Sequence, residues 1–240
     1  MTYAFTHRGV RRSDEENTLL AFQRAVELGV THLESDVHAS ADGTVYLFHD
    51  ETLDRITDAT GKFGERTDEE LAQITAGGEP LCTLDELLDA VPQARIVNLD
   101  VKDEQVIGPL AELIERRGAH QQIALASFSS ARSHAVSHLL SAPIRRSPGQ
   151  REIILIWLCA HLFGWVPQRL VKGFWAVQVP FKQGWLPVAT RRFTKAVQRA
   201  GAQVHVWVIN DKPTMKLLVD RNVDAIMSDD TELLMKVLGS

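Results

Sequence analysis

The chain is predicted to be an α/β protein, a single (β/α)8 (TIM) barrel over residues 1–240 with a small insertion after its second strand. Three observations lead there. Short runs rich in Val, Ile and Leu alternate with longer segments of helical periodicity about eight times, and repeated strand–helix units imply a parallel sheet. The length of 240 residues is close to the roughly 250 of a closed eight-unit barrel. An open doubly wound sheet would want a glycine-rich turn after its first strand, whereas His7-Arg8-Gly9-Val10 offers one glycine.

Each element follows from local pattern. Tyr3–Thr6 is the first strand, and Asn17–Leu28 a helix stopped by Gly29. Thr31–Val37 is the second strand; Asp42-Gly43 marks a turn into an extended piece, Thr44–Phe48. A polar, irregular stretch runs through Gly77-Gly78 and gives way to a helix over Leu84–Ala90, with Thr83 as its N-cap. Strands at Arg95–Val101 and Gln122–Ala126 alternate with helices at Glu104–Arg117 and Ser129–Leu140. A weak strand near Ile144 precedes an apolar helix that starts at Gln150. Three further pairs close the chain: Phe174–Val179 with Val188–Ala200, Gln203–Ile209 with Pro213–Asp220, and Asp224–Met227 with Thr231–Leu238.

Composition narrows the function. Hydrophobic residues make up 45% and charged residues 24%, which excludes disorder, collagen and coiled coil. With 26 Lys and Arg against 31 Asp and Glu, net charge −5 and no basic block, the chain is not expected to bind nucleic acid. Cys82 and Cys159 fit no metal or redox spacing and read as reduced thiols of a cytoplasmic protein. No secretory leader is visible, and the longest apolar stretch, residues 153–166, is shorter than the roughly 20 residues a membrane span requires.

In a parallel barrel, chemistry gathers at the C-terminal ends of the strands. Those ends carry His7-Arg8, Glu34-Ser35-Asp36, His49-Asp50, Asp100-Val101-Lys102, Asn210-Asp211 and Asp229-Asp230. Side chains alternate along a strand, so Glu34 and Asp36 share a face, as do Asp100 and Lys102. Three converging carboxylates repel unless something compensates. A hard divalent cation, Mg²⁺ or Ca²⁺, would do so through oxygen ligands, while zinc would more often recruit Cys or several His. His7 and His49 supply an acid and a base that work near neutrality, and Arg8 and Lys102 can hold an anionic phosphoryl group. The set points to metal-assisted cleavage of a phosphate ester.

The ordered motifs resemble those of the glycerophosphodiester phosphodiesterases. They are His7-Arg8-Gly9, Glu16-Asn17-Thr18 with Ala21-Phe22, Leu33-Glu34-Ser35-Asp36-Val37, Asp42-Gly43, His49-Asp50, Asp100-Val101-Lys102, Ser127-Phe128, Val206-Trp207-Val208 and Val223-Asp224-Ala225-Ile226. The resemblance spans nearly the whole chain and is weakest from Ala131 to Lys172. It implies a barrel enzyme that hydrolyses glycerophosphodiesters to glycerol 3-phosphate and an alcohol with one divalent cation, Mg²⁺ or Ca²⁺. On that resemblance His7 and His49 are the acid–base pair, and Glu34, Asp36 and Asp100 bind the metal. Arg8 and Lys102 contact phosphate, and Trp207 lines the glycerol side of the pocket. Water and the substrate's own glycerol hydroxyl are both open as the attacking group. Three positions depart from the family pattern: Asp100 stands where Glu is usual, Glu15 where Pro is usual, and Ala41 where Thr is common.

Other readings compete. His7 alone suits packing or capping, Glu34 and Asp36 an exposed strand end, Asp100 with Lys102 an ion pair, and Trp207 core filling. Glu16 divides evenly between the metal or His7 region and a cap for the first helix. Asp229-Asp230 is read as capping the last helix. Ile153–Val166, apolar on every side, is expected to be buried under neighbouring helices or a partner subunit in a homo-oligomer. The sharper alternative has Trp157, Phe163 and Trp165, with Arg151, Arg169 and Lys172 nearby, making weak contact with a membrane surface or walling the pocket. That alternative goes with phosphodiesterase action on lysophospholipids. A catalytically idle barrel used for binding, and a metal-dependent lyase or aldolase on the same fold, are the readings from other classes.

Overall fold

A computed structural model describes residues 2–12 and 14–239. The eight strands are β1 (Tyr3–His7), β2 (His32–Ala39), β3 (Ile96–Val101), β4 (Ile123–Ala126), β5 (Arg145–Arg146), β6 (Ala176–Pro180), β7 (Gln203–Trp207) and β8 (Ala225–Ser228). They pair in parallel in the order β5-β4-β3-β2-β1-β8-β7-β6. Between β5 and β6 the seam is bridged by the backbone N–H of Trp175, which donates to Arg146 O at 2.8 Å. The sheet is thus a nearly closed barrel, as expected from the alternation of strand and helix.

The helices α1 (Leu19–Glu27), α2 (Leu84–Ala90), α3 (Ile107–Arg117), α4 (Ser130–Leu139), α5 (Gln150–Leu158), α6 (Arg191–Ala200), α7 (Lys212–Asp220) and α8 (Thr231–Leu238) surround it. Alternation of side chains divides every strand. Leu33, Val37, Val97, Leu99, Val101, Val177, Val179, Val204, Val206 and Ile226 join the core shared with the helices. The other set points into the barrel. Its lower layer is aromatic: the Phe5 ring lies tilted 4.7 Å from His32 and 5.2 Å from His205, and Trp175 lies 4.8 Å from His205. That layer plugs the bottom and leaves the polar upper layer as the floor of a cavity.

The plug predicts an acid limit to stability. Burial pushes His205 down to about 3 and His32 down to about 4. Both stay neutral in the fold while the unfolded chain takes up protons below about 6.5. Stability is therefore full at neutrality and falls with pH, by about 1.4 kcal/mol per unit for fully buried His205 alone. Thermal midpoints should drop from pH 7 to pH 5 and drop less in His205→Phe; an equal slope in both proteins overturns the assignment.

Ends of elements differ from expectation by a few residues, for local reasons. α1 starts at Leu19 because Asn17 has φ 59°, outside the helical region, and Thr18 caps the helix by accepting from Ala21 N. The insertion after β2 is more ordered than its polar pattern suggests. Val45–Leu47 folds back antiparallel on Val37–Ala39, and a 3₁₀ turn at Phe63–Glu65 and a short helix at Asp68–Leu71 follow. Phe48, Leu53, Phe63 and Leu71 form its own small core. Residues 153–166 depart most. Ile156, Ala160 and Val166 are buried, but Ile154, Leu155, Leu162, Phe163 and Trp165 are all more than half exposed. Within the chain, one side of the segment packs on the barrel, and neighbouring helices leave the rest uncovered.

Candidate active site

The mouth is built by register. His7 pairs with Glu34, Glu34 with Asn98, and Asp36 with Asp100 on three adjacent strands, so these side chains form two inward layers. The antiparallel hairpin returns the insertion to this point: Phe48 N donates to Asp36 O at 3.0 Å, which sets His49 beside Asp36. After β1 the chain turns sharply, with Arg8 at φ 60° and Gly9 at φ 88°. A Cβ on Gly9 would stand 2.6 Å from Ala21 Cβ, so only glycine lets α1 pack this closely. His7, Arg8, Glu34, Asp36, His49, Asp100, Lys102 and Trp207 all line one cavity of about 600 Å³. The structure thus brings together the eight residues to which the resemblance gives a proton-transfer, metal, phosphate or glycerol role.

A network of charge fixes these groups. Asp229 Oδ1 lies 2.8 Å from His7 Nδ1, and Asn210 holds the other Asp229 oxygen at 2.7 Å. The free edge of His7 faces Glu34, with 3.8 Å between Nε2 and Oε2. Burial pulls the His7 pKa down, but Glu34 and Asp229 together outweigh it and raise the value above its usual level. His49 is anchored through Nδ1 by Asp50 at 2.5 Å, and Arg55 holds Asp50 in turn. Burial dominates there and lowers the His49 pKa. The two imidazoles are therefore pushed in opposite directions.

Arg8 Nε lies 2.9 Å from Asp36 Oδ2, and its NH1 3.0 Å from Glu16 Oε1. Glu16, buried, also accepts from Arg11 at 2.7 Å and Arg55 at 2.5 Å. It is the counter-ion for three guanidinium groups, Arg8 beside His7 among them, and Thr18 rather than Glu16 caps α1. Lys102 Nζ is 2.7 Å from both Asp36 Oδ1 and Asp100 Oδ2. Asn17 reaches Asp36 Oδ2 at 3.3 Å while accepting from Ser35.

Glu34 is the exception in this network. Its Oε2 is buried without a hydrogen-bond partner, and burial with the nearby Asp36 charge pushes its carboxyl up to about 8. An orphaned buried acceptor beside two further carboxylates is a donor set that suits a hard cation. Among the described residues no three His, Cys, Asp or Glu side chains already converge on one point, because Lys102 stands between Asp36 and Asp100. The donor chemistry fits an oxygen-preferring cation, and the Lys102 ammonium lies beside two of the three carboxylates.

Several partners escaped the motif reading. Asp229, assigned with Asp230 to helix capping, instead holds His7, while Asp230 alone caps α8 by accepting from Leu233 N at 2.9 Å. Asp50, Arg55 and Arg11 had no role; adjacency to His49 was the one available signal for Asp50. Gln178 donates to Asn98 at 2.9 Å and completes the cavity floor.

A half-buried imidazole pair flanking acidic and basic groups at the mouth of a (β/α)8 barrel defines a class of site suited to acid–base chemistry on an anionic ester. Comparison with known proteins narrows it. The model of the glycerophosphoryl diester phosphodiesterase family matches residues 7–145 and 163–233. A Mycobacterium tuberculosis protein named "Probable glycerophosphodiester phosphodiesterase 2" is 34% identical over 98% of this chain and 90% of its own length. A glycerophosphodiester phosphodiesterase of Caldanaerobacter subterraneus is 26% identical over 99% of this chain and 98% of its own. Among solved structures, an Oleispira antarctica phosphodiesterase in complex with the product sn-glycerol-3-phosphate superposes with a TM-score of 0.80 at 23% identity. The match covers 100% of this chain and 98% of that one. The chain belongs to the glycerophosphoryl diester phosphodiesterase family.

Proposed function

We propose that the chain hydrolyses small glycerophosphodiesters to glycerol 3-phosphate and an alcohol, with His7 and His49 as proton donor and acceptor. The observation that carries this reading is the pair of carboxylate-anchored imidazoles whose pKa values are shifted apart across one cavity. The bond broken is that between phosphorus and the alcohol oxygen, and a new bond forms from phosphorus to the attacking oxygen. His49, held neutral, takes the proton of the attacking group. His7, hydrogen-bonded to Asp229 through Nδ1, gives its proton to the departing alcohol. Asp229 and Asp50 orient the two rings, each through Nδ1, so that Nε2 faces the cavity.

Glu34, Asp36 and Asp100 would hold a divalent cation, Mg²⁺ or Ca²⁺, which when bound polarises the phosphoryl oxygens. Arg8 and Lys102 place positive charge where the phosphoryl group gains negative charge, and Trp207 offers an apolar wall for the glycerol carbons. Among the described residues no helix is long and apolar enough to cross a membrane. The two cysteines are both unpaired, in keeping with a cytoplasmic setting. Incubation with glycerophosphocholine and Mg²⁺ should release glycerol 3-phosphate and choline in equal amounts. An intact diester at long times rejects the reading and leaves the idle barrel in its place.

A further inference from the structure

An unbroken chain of ion pairs joins the two imidazoles, and it runs beside the cavity rather than through its lining. Asp229 Oδ1 lies 2.8 Å from His7 Nδ1 and accepts from Arg11 NH2 at 2.9 Å. Arg11 NH1 donates in turn to Glu16 Oε2 at 2.7 Å. Arg55 meets both oxygens of that carboxylate, Oε1 at 2.5 Å and Oε2 at 3.2 Å. Its Nε donates to Asp50 Oδ2 at 2.5 Å, and Asp50 Oδ1 lies 2.5 Å from His49 Nδ1. Anion and cation alternate along the way: Asp229, Arg11, Glu16, Arg55, Asp50.

Glu16 is the buried member of this chain. Its side chain is 2% exposed, against 28% for Arg11 and 47% for Arg55. The backbone on its C-terminal side is fixed as well: Asn17 N donates to Arg8 O at 3.0 Å, and Thr18 caps α1. Two arginines in water would give Asp229 and Asp50 little orientation, because long exposed side chains keep rotamer freedom and solvent screens the pairing. A buried carboxylate is screened far less, and it anchors both guanidinium groups at one point. The acid and the base must stand at a set separation across one phosphoryl group, and rates fall steeply when such placement slips.

Resting on the proton-transfer roles given above, we propose that Glu16 is a positioning residue shared by the acid and the base. Through Arg11 and Asp229 it holds His7, and through Arg55 and Asp50 it holds His49. The placement of the two rings relative to each other is thus set outside the cavity by a single carboxylate. Either arm can be cut without altering a residue that lines the cavity.

The leaving group separates the two arms. With Mg²⁺ present, kcat is measured on glycerophosphocholine, whose alcohol needs a proton to leave, and on the p-nitrophenyl diester of glycerol phosphate, whose phenolate does not. Arg11→Met should lose ~10-fold on the first substrate and stay within ~2-fold of wild type on the second. Arg55→Met should lose ~10-fold on both. Glu16→Gln, which keeps the shape and removes the charge, should lose ~10²-fold on the first and ~10-fold on the second. The Arg11→Met, Arg55→Met double variant should match Glu16→Gln within ~3-fold on each substrate. Adding Glu16→Gln to that double variant should cost no more than a further ~2-fold, because Arg8 keeps its contact with Asp36. Should Glu16→Gln not fold, Glu16→Asp, with the charge kept and the reach shortened, should show the same excess loss on glycerophosphocholine. Wild-type kcat in Glu16→Gln overturns the shared positioning role alone. So does a loss in Arg11→Met that is equal on both substrates, the mark of a general structural effect, or a further ~10-fold loss when Glu16→Gln joins the double variant. A wild type that cleaves neither diester overturns the phosphodiesterase reading together with this role.

Discussion

His7→Ala and His49→Ala should each lower kcat for glycerophosphocholine by at least ~10²-fold, the scale of losing a positioned acid or base. The two losses should differ in kind. Glu34 and Asp229 raise the His7 pKa against burial, which favours the form that gives a proton; burial lowers the His49 pKa, which favours the form that accepts one. An alcohol that leaves readily needs no proton. A glycerophosphodiester with a p-nitrophenol leaving group should therefore restore most of the rate to His7→Ala and little to His49→Ala. Rescue of His49→Ala alone exchanges the two roles, and near-normal turnover in both variants removes the histidines from the mechanism.

Excess EDTA should abolish turnover, with a loss of roughly 10³-fold or more, and Mg²⁺ or Ca²⁺ should restore it. The reason lies in Glu34, whose buried Oε2 has no donor and whose carboxyl is pushed up by burial and by Asp36. A group in that position holds its charge at neutral pH only if a cation is added. Calorimetric titration with Mg²⁺ should show binding by the wild type and at least ~10-fold weaker binding by Glu34→Gln, which keeps the shape and loses the charge. Full activity in EDTA, or unchanged Mg²⁺ affinity in Glu34→Gln, ends the metal assignment. The same titration on Asp100→Asn tests whether Asp100, which stands where the family pattern has Glu and lies 2.7 Å from Lys102, contributes to the proposed cation site.

The residues that line the mouth were legible because a barrel turns a one-dimensional rule into a place. Each apolar run ends at the same rim, and the two-residue period decides which of its last side chains point inward. His7, Glu34, Asp36, Asp100 and Lys102 follow from that rule alone. His49 needed more: it reaches the mouth because Asp42-Gly43 reverses the chain and Val45–Leu47 pairs with Val37–Ala39. The partners of these groups come from sequence-distant places. Asp229 meets His7 across the β1–β8 junction, and Arg55 meets Glu16 from within the insertion. Nothing in the local pattern of either residue distinguishes a partner from a cap or a solvated charge.

Residues 153–166 show the boundary most clearly. A run that is apolar on every side states that it will leave water, but not what it will meet. Ile156 found the barrel, Ile154 and Leu158 the cavity, and Leu162 and Phe163 solvent. By itself the sequence determined the alternation of strands and helices, the barrel it closes into and the chemical groups at its rim, because these depend on near-neighbour pattern. Only the tertiary structure decided which carboxylate orients which histidine, that Glu16 balances three arginines, and which apolar side chains remain uncovered. Those outcomes depend on distances between residues far apart in the chain, and such distances exist only once the barrel is folded.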